Sequence, residues 1–211
     1  YNYRLQRIKL LKDTKILTSW NSMMIAALAR AAFIMKRPDY LKAAKEAQIF
    51  IEERLTTNDG KLYVRFCDGE AANDGTIDDY AFYAYALIML YKTTLDCDYL
   101  IKAVWIADRM LSLFFDEQNG GFYLYSKEAQ QLINRPKETF DRAIPSGNSA
   151  AAQVLTSLSF LTGDEKWRKL RDLQLKFLSG PAYDYPSAHC FALTAIMSVV
   201  NKSTGLVCVT G

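Results

Sequence analysis

Three long runs in this 211-residue chain carry almost no charge, and each is followed by a run charged along one side. The first opens at Thr18-Ser19-Trp20-Asn21 and stays uncharged to Ala29. The second opens at Asp78-Asp79-Tyr80-Ala81 and stays uncharged to Tyr91; the third opens at Ser146-Gly147-Asn148 and stays uncharged to Gly163. Their partners, 39–56, 98–114 and 164–178, gather Lys, Arg, Asp and Glu on one face. A helix apolar on all sides is buried on all sides, whereas a helix with one charged face lies at the surface. Alternation of the two kinds predicts an inner and an outer ring, the pattern of an α/α toroid made of repeated helical hairpins.

Periodicity and turn signals predict helices over 18–36, 39–56, 78–93, 98–114, 146–162, 164–178 and 187–201, β-ribbons over 61–66 and 121–133, and a strand over 205–209. The fold class is mainly all-α, with short β-ribbons in the long loops and one toroid domain over 1–211. These helices make three and a half hairpins, so a six-hairpin ring is incomplete in this chain. An open arc leaves an apolar inner face, and the fragment alone is expected to self-associate. The chain starts at Tyr1 rather than Met and is expected to be a piece of a longer protein. Inner-to-outer connections are short, while outer-to-inner connections are long and all reach the N-terminal ends of the inner helices. Long loops usually carry function, which directs attention to that mouth.

A net charge of +3 is too small to argue for a nucleic-acid partner. No unbroken apolar run is long enough to span a membrane, and no signal peptide is visible. The four cysteines are scattered without metal-ligand spacing and read as reduced thiols, in keeping with a cytoplasmic location. No metal, cofactor or Gly-rich phosphate loop is indicated.

Candidate chemistry therefore rests on acids and aromatics at the mouth. Of the adjacent pair Asp78 and Asp79, one can cap the helix and the other project into the cavity. The helix dipole is expected to lower both pKa values, favouring a nucleophile, base or charge stabiliser over a general acid. Asp141, just before the third inner helix, is the second carboxylate that glycoside hydrolysis requires. Trp20, Tyr80 and Tyr83 offer rings for stacking on sugars. Asn21, Ser146 and Asn148 can bond a polyhydroxyl ligand or cap their helices.

Several of these motifs resemble one family. Asp13-Thr14-Lys15-Ile16-Leu17-Thr18-Ser19-Trp20-Asn21, Asp78-Asp79-Tyr80-Ala81-Phe82, Gly120-Gly121-Phe122-Tyr123, Arg135-Pro136-Lys137 and Asp141 with Pro145-Ser146-Gly147-Asn148-Ser149 occur in order. Together with the closing Gly205–Gly211 segment they are similar to the YyaL-like family of thioredoxin-domain-containing proteins, relatives of the spermatogenesis-associated thioredoxin-like protein of animals. The resemblance implies a six-hairpin glycosidase-like toroid, with the thioredoxin-like domain and first hairpins upstream of this chain. It also implies a carbohydrate-active or carbohydrate-binding domain, glycosidase-like or sugar-epimerase-like. The alternative is a non-catalytic scaffold that presents a partner to the thioredoxin-like domain. The missing N-terminal part of the polypeptide is then itself a partner of this chain.

Overall fold

The computed structural model describes residues 2–8, 12–129 and 134–201. The strand expected over 205–209, Cys208 and part of the 121–133 segment lie outside the described residues. In chain order the elements are α1 (Asn2–Leu5), β1 (Ile16–Leu17), α2 (Thr18–Met35), α3 (Pro38–Arg54), β2 (Tyr63–Cys67), β3 (Glu70–Asp74), α4 (Ile77–Thr94), α5 (Cys97–Phe114), α6 (Gly147–Thr162), α7 (Glu165–Asp184), a 3-10 turn (Pro186–Ala188) and α8 (Cys190–Val200).

Helices α2, α4, α6 and α8 pack side by side as an inner row, and α3, α5 and α7 back them from outside. No substantial packing joins α2 to α8 among the described residues, so the row is an open arc. Helix α4 has neighbours on both sides and α5 behind it. Twelve of its residues, from Ile77 to Leu90, are buried, which is why its sequence needs no polar face. Helix α2 forms one end of the arc and leaves Trp20, Met24, Phe33 and Ile34 exposed; α8 leaves Met197 and Val200 exposed.

Three expectations change. The ribbon over 61–66 is one strand of a three-stranded antiparallel sheet, ordered β1-β2-β3. Its hairpin turns at Asp68 and Gly69, both at positive φ (52° and 87°), the Asp-Gly turn that suits strand twist. No ribbon forms among the described residues of 121–133; a single bridge, Phe115 to Phe122, is all that pairs there. Helix α7 continues six residues beyond the expected Leu178, through Pro181 to Asp184, and α8 begins at Cys190 after the 3-10 turn.

Candidate functional site

The sheet and the long loops surround the starts of the inner helices, and three aspartates tie those starts together. Asp79 closes a capping box with Thr76: its Oδ2 accepts from the Thr76 backbone N–H at 2.9 Å and from the Thr76 hydroxyl at 3.1 Å. Its Oδ1 accepts from the backbone N–H of Ser19, in the first turn of α2, at 3.1 Å. Asp78 turns the other way. Its Oδ1 lies against Gly147, the first residue of α6, whose backbone N–H stabilises the carboxylate. Asp141 accepts from the Ser146 N–H at 2.9 Å and from the Phe191 N–H at 2.7 Å, joining α6 to α8. One acid thus bridges each pair of neighbouring inner helices. The donors at these helix starts lack intrahelical partners, and the helix dipole favours negative charge beside them.

Burial nevertheless outweighs the dipole, and the expected lowering of both pKa values is reversed. Loss of solvent pushes the Asp78 pKa up to about 6, with the charge of Glu138 adding and the Gly147 N–H opposing. Loss of solvent also pushes Asp79 up to about 6, opposed mainly by the hydrogen bonds from Thr76. A carboxyl in that range can hold a proton near neutrality, which suits a general acid.

The two acids divide the roles that the sequence left open. Both oxygens of Asp79 and of Asp141 are engaged by donors of the fold. Among the described residues only Gly147 holds Asp78, which leaves carboxyl capacity for a ligand. The acid that raises Asp78 is Glu138, an exposed residue three positions before Asp141. Sequence reasoning passed it over in favour of Asp141. The signal was its place on the run Arg135-Pro136-Lys137-Glu138, in the same loop as Asp141.

The candidate ligand-binding residues separate as well. Tyr80 and Tyr83 leave the cleft. The Tyr80 hydroxyl accepts from the Leu62 N–H at 3.0 Å, and its ring packs 5.1 Å from that of Phe114. The Tyr83 hydroxyl accepts from Gln48 of α3 at 3.1 Å. Successive helical residues turn by about 100°, so these two face the outer layer while Asp78, Phe82, Tyr85 and Met89 share another side. Asn148 is wholly buried and does not reach the cleft. Its Oδ1 accepts from the Phe122 N–H at 2.8 Å, and its Nδ2 donates to the Phe122 and Glu138 carbonyls at 2.9 and 2.8 Å. Ser146 caps α6 through the Ser149 N–H. Asn21 donates to the Leu17 carbonyl at 2.8 Å. Trp20 stays 60% exposed at the start of α2, the one candidate ring still open to solvent. His189 is buried, its Nδ1 paired with the Tyr185 carbonyl at 2.8 Å and its Nε2 with the Thr139 hydroxyl at 3.2 Å.

Below the mouth, the inner face holds a cavity of about 240 Å³ whose lining includes Met23, Arg30, Phe82, Tyr85, Met89 and Phe191. Among the described residues no group of three or more His, Cys, Asp or Glu side chains is placed to hold a metal ion. No described helix is long and apolar enough to cross a membrane.

An inner row of helices backed by an outer one, with its mouth at the inner N-termini, defines an arc of an α/α toroid. Solved toroids superpose on it. The cellobiose 2-epimerase of Bacillus thermoamylovorans B4167 does so with TM-score 0.66 and 18% identity, over 80% of this chain and 45% of that one. A family 76 α-mannanase of Bacteroides thetaiotaomicron gives TM-score 0.65 and 19% identity, over 79% of this chain and 45% of that one. At these identities the likeness is one of fold. In sequence the chain is 28% identical over 177 residues to spermatogenesis-associated protein 20 of Rattus norvegicus, covering 79% of this chain and 22% of that protein. The chain thus spans about a fifth of the length of this curated relative. The resemblance to the YyaL-like proteins read from the motifs is borne out by these matches. No protein-family model matches the chain.

Proposed function

We propose that this arc belongs to a carbohydrate-active toroid in which Asp78 is the proton-carrying catalytic group and Glu138 the second carboxylate. The observation that carries the reading is the contrast among the mouth acids. Asp79 and Asp141 have both oxygens engaged, while Asp78 is held by one backbone donor and has its pKa raised to about 6 beside Glu138. A protonated carboxyl next to a second acid is the pairing that glycoside cleavage uses, and a carboxyl near pH 6 also suits the proton transfers of an epimerase. The epimerase and mannanase folds of the solved neighbours support this choice of chemistry. The missing first hairpins and an upstream thioredoxin-like domain complete the protein in this reading. The unpaired Cys67, Cys97 and Cys190 suit a reducing, cytoplasmic setting.

A non-catalytic module remains the second reading, favoured by the use of Asp79 and Asp141 as helix ties. The test is a screen of glycans and glycosides on the full polypeptide, repeated with Asp78→Asn and Glu138→Gln. Turnover should fall at least about a hundredfold in each, with stability retained. Turnover unchanged in Asp78→Asn removes the catalytic assignment. Glycan binding without turnover in the unmodified protein leaves the binding module standing.

A further inference from the structure

We infer that Arg30 selects a carboxylate-bearing sugar, a uronic acid residue, at the end of the inner-face cavity away from Asp78. This deepens the carbohydrate reading above and rests on it.

The geometry begins with helix phase. Asp78, Phe82, Tyr85, Met89 and Lys92 are spaced four, three, four and three residues apart, which puts them on one side of α4. Phe82, Tyr85 and Met89 line the cavity, and Arg30 lines it from α2. The two helices run parallel: Ser19 meets Asp79 at the mouth, and Thr93 donates to the Ala29 carbonyl at 3.1 Å near the other end. Arg30 therefore lies level with the last turns of α4. At 1.5 Å per residue, this is roughly 15–20 Å from Asp78, room for a short oligosaccharide along the face.

The charge at that end is unbalanced. Arg30 is exposed, and no ion pair or hydrogen bond holds it among the described residues. Its positive charge is felt on two neighbours of the same surface: it adds to the desolvation that lowers the Lys92 pKa, and it opposes the desolvation that raises Tyr85. Among the described residues Lys92 donates only to the Ser157 hydroxyl, at 3.3 Å. A guanidinium and an ammonium that no carboxylate pairs among the described residues, beside aromatic and methionine walls, complement a sugar that carries negative charge. The planar guanidinium fork matches a carboxylate through two parallel hydrogen bonds. The backbone N–H groups that suit a phosphate belong to helix N-termini, which lie at the opposite end of this cavity.

The test uses the full polypeptide on an array of neutral oligosaccharides, their uronic acid counterparts and their phosphorylated counterparts. Binding to uronate members should exceed binding to the matched neutral ones by at least about tenfold, a difference of 1.4 kcal/mol. Arg30→Gln should bring the two within about twofold while neutral binding persists, and Arg30→Lys should keep part of the preference. Thermal melts of both variants check that they fold as the parent does. Equal binding of neutral and uronate glycans overturns this inference and leaves the carbohydrate reading intact. A preference that survives Arg30→Gln, or one for phosphorylated sugars, also overturns it. Binding of no glycan at all takes down both.

Discussion

Gly147 and Asp78 are so close that a β-carbon on residue 147 would sit 2.4 Å from the Asp78 Oδ1 and 2.8 Å from a methyl carbon of Ile77. The first position of α6 is thus kept bare by the acid of α4. Gly147→Ala should push Asp78 off its backbone donor and cost about 1–3 kcal/mol, the usual penalty for overpacking. Chemical denaturation measures this directly. An alanine variant as stable as the parent would show that the helix starts have slack the geometry denies.

The acids also make stability depend on pH in a stated direction. Asp78 and Asp79 bind protons more tightly in the folded chain, with pKa values raised from 3.8 to about 6. Their contribution is fully present below about pH 4 and is lost as pH rises through about 6. Asp116 behaves in the opposite sense. The Lys137 ammonium, 2.7 Å away, holds its carboxyl well below the usual range, so its contribution is present above about pH 4 and fades as pH falls. Melting temperature should peak near pH 4, decline toward about pH 7 and level off above it, with Asp78→Asn flattening that decline. A parent protein that grows more stable between pH 4 and pH 7 would contradict this.

Asn148 acts as a clasp on the loop between α5 and α6. Asn148→Ala strands the buried Phe122 N–H and C=O and the Glu138 carbonyl, which should cost about 2–4 kcal/mol. Asn148→Asp should be no better, because it faces two carbonyl oxygens without a donor. Urea titrations would expose the error if either change costs under about 0.5 kcal/mol.

The two ends of the arc are apolar. Trp20, Met24, Phe33 and Ile34 on α2 and Met197 and Val200 on α8 are exposed large apolar side chains. Expressed alone, the chain should self-associate or bind a hydrophobic dye. A dilute, cooperatively folding monomer without dye binding would count against it.

Much of this architecture is written in the residues, because a helix without charge on any side has only one stable environment. The inner and outer layers follow from that and match α2 to α8 closely. The β2–β3 hairpin escaped because Glu70-Ala71-Ala72-Asn73-Asp74 has little strand preference; the Asp68-Gly69 turn was the readable sign. The roles of Asp78 and Asp79 were hidden for a different reason. Which acid becomes the cap depends on where the helix starts, and Thr76, three residues before Asp79, decides it. The pKa reversal could not be read locally at all, since burial comes from α2, α6 and the 138–141 loop, far away in sequence.

Each mouth aspartate joins a helix only to the one beside it, so cohesion passes along the row link by link, as in a nearest-neighbour chain. Helix α4, held by Asp79 on one side and Asp78 on the other, should show the slowest amide exchange. Helix α8, tied through Asp141 alone, should open first. The acids at the mouth therefore set the order in which the arc comes apart, and each hairpin added at an end would slow the breathing of those inside it.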